Sequence, residues 1–483
     1  MKKSIVRSTS LALCTLLLLL SLLVSAPLSA YALPEDQHAA IQNFIEEAQR
    51  ISQAPGIAVS VVADGETHFF SAGVADRGTQ TPACEDTLWD IGSSTKAFTS
   101  LGILYLEEQG LLSVNDSVAD HLPWLAFKYN GRPVDMQGVR LYHFMHHTSG
   151  LPMVPGTATG SLEGGVRSII DAELRFYPGE NFLYANENTN ILGLIIEVVS
   201  GQSYASFMVE HIFHPLGMTD TFANRAEAIA TGRRATGHVT QFIFFTIQRD
   251  SPDAEAIDNL PAGYLVSSTR DMARWMEVQL GIAEDIPEIF YTIIPRSHQA
   301  GQSIVQPDGH FYAAGWIVSA DQSVIEHGGT TWGFGSNVFL FPEETLGITV
   351  LSNLAGAHGT QSQPALNIKE ILDGNLNQSY SILWTFQHLD VTFTIATVLG
   401  LLFTALFTWR GFCRRKQNAL TSLTKKRLVL VLFWGIMALA MVIPLVLFAW
   451  IIFFIHSFLT MVVAFALLFT SFAWFTRFPL KKA

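Results

Sequence analysis

The 483-residue chain is long enough for one large domain or several smaller ones, and its composition is sharply divided along its length. Residues 33–383 hold 40 of the 41 acidic groups and 16 of the 29 Lys and Arg, a net charge near −24; ten bases and one acid, Asp390, follow residue 383. So acidic a middle segment repels polynucleotides and anionic headgroups, which argues against nucleic-acid binding, and three scattered cysteines (Cys14, Cys84, Cys413) exclude a thiolate metal cluster.

In chain order, Lys2, Lys3 and Arg7 precede an apolar run from Leu11 to Val24, followed by small residues suited to cleavage near Ala30 or Ala32. Residues 1–32 therefore read as a signal peptide for export; the apolar run is shorter than the ~20 residues a membrane span needs. The exported part keeps Cys84 alone, so no internal disulfide is expected there. GIAVSVV (56–62), the turn pair Asp64-Gly65 and THFFSAG (67–73) predict a β-hairpin. Residues Ser94 to Gln109 carry helical spacing of Phe98, Leu101, Leu104 and Leu106, with Gly110 as a stop. A second helix is predicted from Asn188 to Val199, closed by Gly201, and 330–353 reads as two strands joined by a Pro342–Thr345 turn. Strands at both ends with helices between them imply one sheet built from both termini and a helical insert.

Ser93-Ser94-Thr95-Lys96 falls where a β-rich stretch gives way to a helix. Serine three residues before lysine puts both on one helical face. A lysine held in a partly apolar cleft loses basicity enough to take the serine proton, and a helix N-terminus offers N–H groups to a developing oxyanion. Alone the pattern is weak, since Ser422 and Lys425 repeat it in a basic loop. Tyr184-Ala185-Asn186 and His327-Gly328-Gly329-Thr330 lie further along the chain, the latter just before strand-like sequence. His146 and His147 are adjacent, so they point different ways and read as structural rather than as metal ligands.

Six stretches in order, IGSSTKAFTS (91–100), HHTSGLP (146–152), YPGENFLYANENTNILG (177–193), PAGYLVSSTRDMARW (261–275), AAGW (313–316) and HGGTTWGFGS (327–336), carry a family resemblance. The chain resembles the class C β-lactamase and low-molecular-weight penicillin-binding protein superfamily of serine hydrolases. The resemblance implies an α/β (α+β) fold of β-lactamase/transpeptidase type: an antiparallel sheet flanked by helices, plus a helical subdomain. It implies Ser93 as nucleophile, Lys96 and Tyr184 as proton carriers, and Asn186 as a hydrogen-bond partner of Lys96 and the substrate amide. The backbone N–H groups of Ser93 and Thr330 would form the oxyanion hole, with His327, Gly328 and Gly329 beside the substrate. A nearby ammonium is expected to favour the Tyr184 phenolate. Many relatives carry Lys-Thr-Gly where this chain has His327-Gly328-Gly329. Histidine can donate a hydrogen bond and carry charge near its usual pKa of ~6.5, but Gly328 replaces no hydroxyl, which weakens the case for β-lactam hydrolysis. No metal or organic cofactor is required.

Beyond residue 383, apolar runs at about 389–409, 428–450 and 454–476 each reach spanning length. Between the first two, residues 410–427 hold seven bases and no acid, so that loop is expected on the cytoplasmic side. Traced back, residues 33–383 lie outside, which agrees with the signal peptide. The resulting expectation is a multi-pass cell-membrane protein with three transmembrane helices in 384–483 and an extracytoplasmic serine hydrolase domain. Its substrate would be a D-amino-acyl peptide or ester of the cell envelope, processed through acyl-Ser93. The alternatives are a β-lactamase or penicillin-binding DD-peptidase, or a non-catalytic sensor that binds muropeptides or β-lactams. Oligomeric state is not legible.

Overall fold

Asp64 and Gly65 both take positive φ (51° and 80°), the paired left-handed conformation that matches the twist of a two-residue hairpin. They join strand Gly56–Ala63 to strand Glu66–Asp76, as the sequence predicts. The computed structural model describes residues 33–154, 158–241, 245–355, 362–381 and 395. The signal segment 1–32 and the proposed spans after 383 lie outside the described residues, apart from residue 395.

The hairpin is part of an eight-stranded antiparallel sheet. Its order is Phe311–Tyr312, Ile317–Val318, Ile325–Thr330, Gly335–Phe341, Leu346–Ser352, Gly56–Ala63, Glu66–Asp76 and Thr81–Pro82. Residues from both ends of the domain thus meet in its centre, where Val59 pairs with Val350. The predicted turn is a 3₁₀ segment, Pro342–Glu344, closed by Thr345 in the left-handed region (φ 50°).

Both faces of the central strands are covered, which is why GIAVSVV reads as a continuous apolar run rather than an alternating one. On one face Ile57, Val59 and Val61 pack with Phe44 and Ile45 of helix Glu35–Ser52 and Ile368 and Ile371 of helix Ser362–Leu372. On the other, Ala58 and Val62 share a core with Phe98 of helix Thr95–Glu108 and Trp275 and Met276 of helix Thr269–Gln279. The Phe98 and Trp275 rings stack with centroids 3.9 Å apart. Fully burying side chains of this size contributes about 1.5–3 kcal/mol each. The helical insert separates the two sets of strands and includes the helix predicted at 188–199, observed as Asn186–Ser200 and ended by Gly201 in the left-handed region. Among the described residues no single helix is long and apolar enough to cross a membrane.

Two attachments fix the segment that leads to Ser93. Strand Leu88–Asp90 pairs antiparallel with Val266–Ser268. Asp90, 1% exposed, accepts two hydrogen bonds from Arg234, from Nε and Nη2, both at 2.8 Å. Arg234 also donates to Asp250 at 2.9 Å and lies 4.8 Å over the Phe334 ring. Burial works against the guanidinium charge, but Asp90 and Asp250 outweigh it and raise the Arg234 pKa.

Candidate active site

Ser93 sits in a 3₁₀ turn, Gly92–Ser94, that runs directly into helix Thr95–Glu108. It retains partial exposure, whereas Lys96, one turn on, is 1% exposed. Lys96 Nζ lies 3.1 Å from Ser93 Oγ, 2.8 Å from Asn186 Oδ1 and 2.6 Å from the Ala262 carbonyl oxygen. Burial lowers its pKa to about 7, opposed by the charge of Glu187. A lysine poised there is neutral often enough at physiological pH to act as a base.

Tyr184 closes the group from the segment before helix Asn186–Ser200. Its ring centroid is 5.0 Å from Lys96 Nζ, and its hydroxyl is near enough to the Ser93 side chain to feel it electrostatically. Desolvation raises the phenol pKa, and the Ser93 side chain opposes this only in part. The expectation of a phenolate is therefore corrected: burial favours the protonated phenol of Tyr184, and the neighbouring Ser93 side chain only partly offsets it.

Strand Ile325–Thr330 forms the opposite wall, so His327-Gly328-Gly329-Thr330 lies within a strand rather than before one. It approaches the Ser93 turn closely enough that a Cβ on Gly329 would stand 2.1 Å from the Ile91 oxygen and 2.8 Å from Ser93 N. A Cβ on Gly92 would stand 2.3 Å from Thr330 N, so the backbone segments that carry the two N–H groups expected in the oxyanion hole run in close contact. Ser94 Oγ donates to the His327 carbonyl at 3.1 Å and Ser336 Oγ to the Ile91 carbonyl at 2.6 Å, latching strand to turn. A side chain at Gly328 would face Asn337.

His327 is 3% exposed. Its Nδ1 is 2.7 Å from the Gly328 carbonyl oxygen and its Nε2 is 3.0 Å from the Tyr312 hydroxyl. A carbonyl only accepts, so the ring proton belongs on Nδ1 and Tyr312 donates to Nε2. Burial, and then Lys96, lower the pKa to about 3. The expectation of a histidine charged near 6.5 is corrected: this imidazole is neutral, enclosed and engaged on both nitrogens.

Four participants are not singled out by sequence reasoning. The Ala262 carbonyl and Tyr312 lie in or beside the PAGY and AAGW stretches that carry the resemblance, yet backbone acceptors and ring contacts leave no mark in composition. Glu187, 9% exposed, accepts the Val154 N–H at 2.8 Å and follows directly on Asn186. His147, which the sequence marks as structural, is 1% exposed and packs against the Tyr184 ring at 4.6 Å. Among the described residues no group of His, Cys, Asp and Glu is arranged to hold a metal.

Residues 41–373 match the Beta-lactamase family model. Protein flp of Staphylococcus aureus (strain MW2) is 28% identical over 429 residues, covering 86% of this chain and 83% of the relative. A β-lactamase of Escherichia coli (strain K12) is 27% identical over 377 residues, covering 69% of this chain and 93% of the relative. Among solved structures, the octameric penicillin-binding protein homologue from Pyrococcus abyssi aligns with TM-score 0.62 and 25% identity, over 70% of this chain and 77% of that one. The β-lactamase/D-alanine carboxypeptidase from Pseudomonas syringae aligns with TM-score 0.59 and 20% identity, over 71% and 99%, a likeness of fold.

Proposed function

This chain belongs to the β-lactamase family, and from that premise we propose that it is a membrane-anchored, extracytoplasmic serine hydrolase acting through acyl-Ser93 on D-amino-acyl peptides or esters of the cell envelope. The observation that carries the reading is the Lys96 amine, 3.1 Å from Ser93 Oγ and titrating at about 7.

The Ser93 proton passes to neutral Lys96 as Oγ bonds to the acyl carbon, and the oxyanion meets the N–H groups of Ser93 and Thr330. As the bond to the leaving group breaks, Tyr184 gives its proton to the departing atom and recovers one from Lys96. Water then attacks the acyl-Ser93 ester by the same route, releasing the acid and restoring the Ser93 hydroxyl. Neutral His327 offers no cation to a substrate carboxylate, which favours esters and amides that lack a nearby carboxylate over β-lactams.

Anchoring rests on the three apolar runs and the basic 410–427 loop. An alignment over 86% of 483 residues must extend beyond residue 409, so the similarity to protein flp includes the first run. The test uses the full chain in detergent beside Ser93→Ala, following p-nitrophenol release from activated esters and then turnover of D-alanyl against L-alanyl esters. Release lost on substitution, with D-alanyl esters preferred, is the expected result. Equal release by both folded proteins would sink the hydrolase reading, and a long-lived adduct with β-lactams but no turnover would move it to a binding role.

A further inference from the structure

Tyr184 is bracketed by one residue. The N–H of Leu183, on one side, donates to the His147 carbonyl at 2.8 Å. The N–H of Ala185, on the other, donates to His147 Nδ1 at 3.3 Å. Between these two bonds the phenol ring lies against the imidazole, centroids 4.6 Å apart and tilted by 32°. Asn188, in the first turn of helix Asn186–Ser200, reaches back with Nδ2 2.7 Å from the same Nδ1, its Oδ1 held by Ser149 Oγ at 2.6 Å. Since two N–H groups converge on Nδ1, that nitrogen carries the lone pair and the ring is neutral. The backbone serves the same end, because His147 has φ 53°, a left-handed conformation that a residue with a branched or bulky side chain adopts at a cost.

From these contacts we propose that His147 is a positioning residue that fixes Tyr184 for proton transfer to the leaving group, by bracketing it through its own carbonyl and Nδ1. The proposal rests on the reading of Tyr184 as proton carrier. A phenol free to swing by an ångström loses the short, linear path that general acid catalysis requires. Burial above all keeps the imidazole neutral, and the Lys96 amine on the nucleophile helix works in the same direction. Tyr312, packed edge-on at 4.5 Å, completes the enclosure.

The test uses two variants that tolerate the left-handed backbone. His147→Asn places Oδ1 near the Nδ1 position and keeps the acceptor; His147→Gly removes it. Each is compared in the full chain with wild type on matched D-alanyl p-nitrophenyl ester and p-nitroanilide. The ester departs without a proton and the anilide requires one, so a purely structural defect slows both alike. The expected result is a loss in kcat of about 30–100-fold on the anilide for His147→Gly, about 3-fold on the ester, KM nearly constant, and recovery to within about 5-fold in His147→Asn. Melting temperatures confirm folding. Equal losses on both substrates, no loss on either, or an Asn variant as slow as Gly would each overturn the assignment. Anilide turnover that survives Ser93→Ala would instead overturn the catalytic reading beneath it.

Discussion

The Nζ of Lys96 lies closer to the Ala262 carbonyl oxygen, at 2.6 Å, than to Ser93 Oγ, at 3.1 Å. A carbonyl can only accept, and so does Asn186 Oδ1 at 2.8 Å. A neutral amine has two N–H bonds, which these oxygens occupy, leaving its lone pair for the Ser93 proton. The two acceptors therefore orient the base as well as holding it.

That arrangement sets the acid limb of the rate profile. Lys96 titrates at about 7 because burial disfavours its charge, so kcat/KM should fall about tenfold per pH unit below 7 and level off above it. Lys96→Arg keeps a permanent charge and no lone pair, and should lose at least about 100-fold. Initial rates between pH 5 and 9 decide the matter; a wild-type profile flat through pH 7 would exclude Lys96 as the base.

Gly329→Ala should abolish activity while sparing the sheet. Its Cβ would stand 2.1 Å from the Ile91 oxygen, 2.4 Å from Ser336 Oγ and 2.8 Å from Ser93 N, all at the edge of the proposed oxyanion hole. Strand and turn must move apart, at a cost of roughly 1–3 kcal/mol in stability. Loss of at least about 100-fold in kcat is expected, since the N–H pair no longer converges. Gly328→Ala is the comparison variant, because its Cβ would meet nothing nearer than Asn337 Nδ2, at 3.4 Å, and so leaves the approach of strand to turn intact. Similar activity for the two variants would remove the close approach from the argument.

Local chemistry makes part of this legible in the sequence and hides the rest. Asp64-Gly65 announces its hairpin because few residue pairs accept two left-handed conformations in succession. Ser93, Lys96, Tyr184 and Asn186 stand out because each carries a reactive or polar group in a recognisable setting, and the fold brings all four together. The charge state of His327 does not follow from its setting in the chain, since its neutrality comes from burial that only the assembled fold produces and from Lys96, far away in the sequence. The role of His147 is hidden because its Nδ1 acts on backbone and side-chain N–H groups 38 and 41 residues away.

The Asp90–Arg234 pair ties the approach to Ser93 to the 233–250 region, and removing one partner should be far worse than removing both. Arg234→Met leaves the Asp90 carboxylate 1% exposed and uncompensated, which costs about 3–5 kcal/mol. Asp90→Leu combined with Arg234→Met should recover most of that loss, because no buried charge remains. Chemical unfolding of the two single variants and the double variant closes the cycle. Additive losses would show that the pair contributes no coupling to the nucleophile segment.

His327 offers a test in which the sign of the pH effect separates two pictures of the site. Burial and Lys96 hold its folded pKa at about 3, below the 6.5 of the unfolded chain, so unfolding takes up a proton between those values. The stability associated with this group is therefore fully present above about 6.5 and lost as pH falls toward 3. His327→Gln retains an uncharged hydrogen-bonding side chain but cannot titrate. Wild type should exceed the variant in stability at pH 7, and the gap should narrow by up to about 2 kcal/mol at pH 5. The kcat/KM profile of the variant should keep the single inflection assigned to Lys96. A gap that widens on acidification, or an inflection near 6.5 that vanishes with His327, would mean that this imidazole carries charge in the native state and is available to hold a substrate carboxylate.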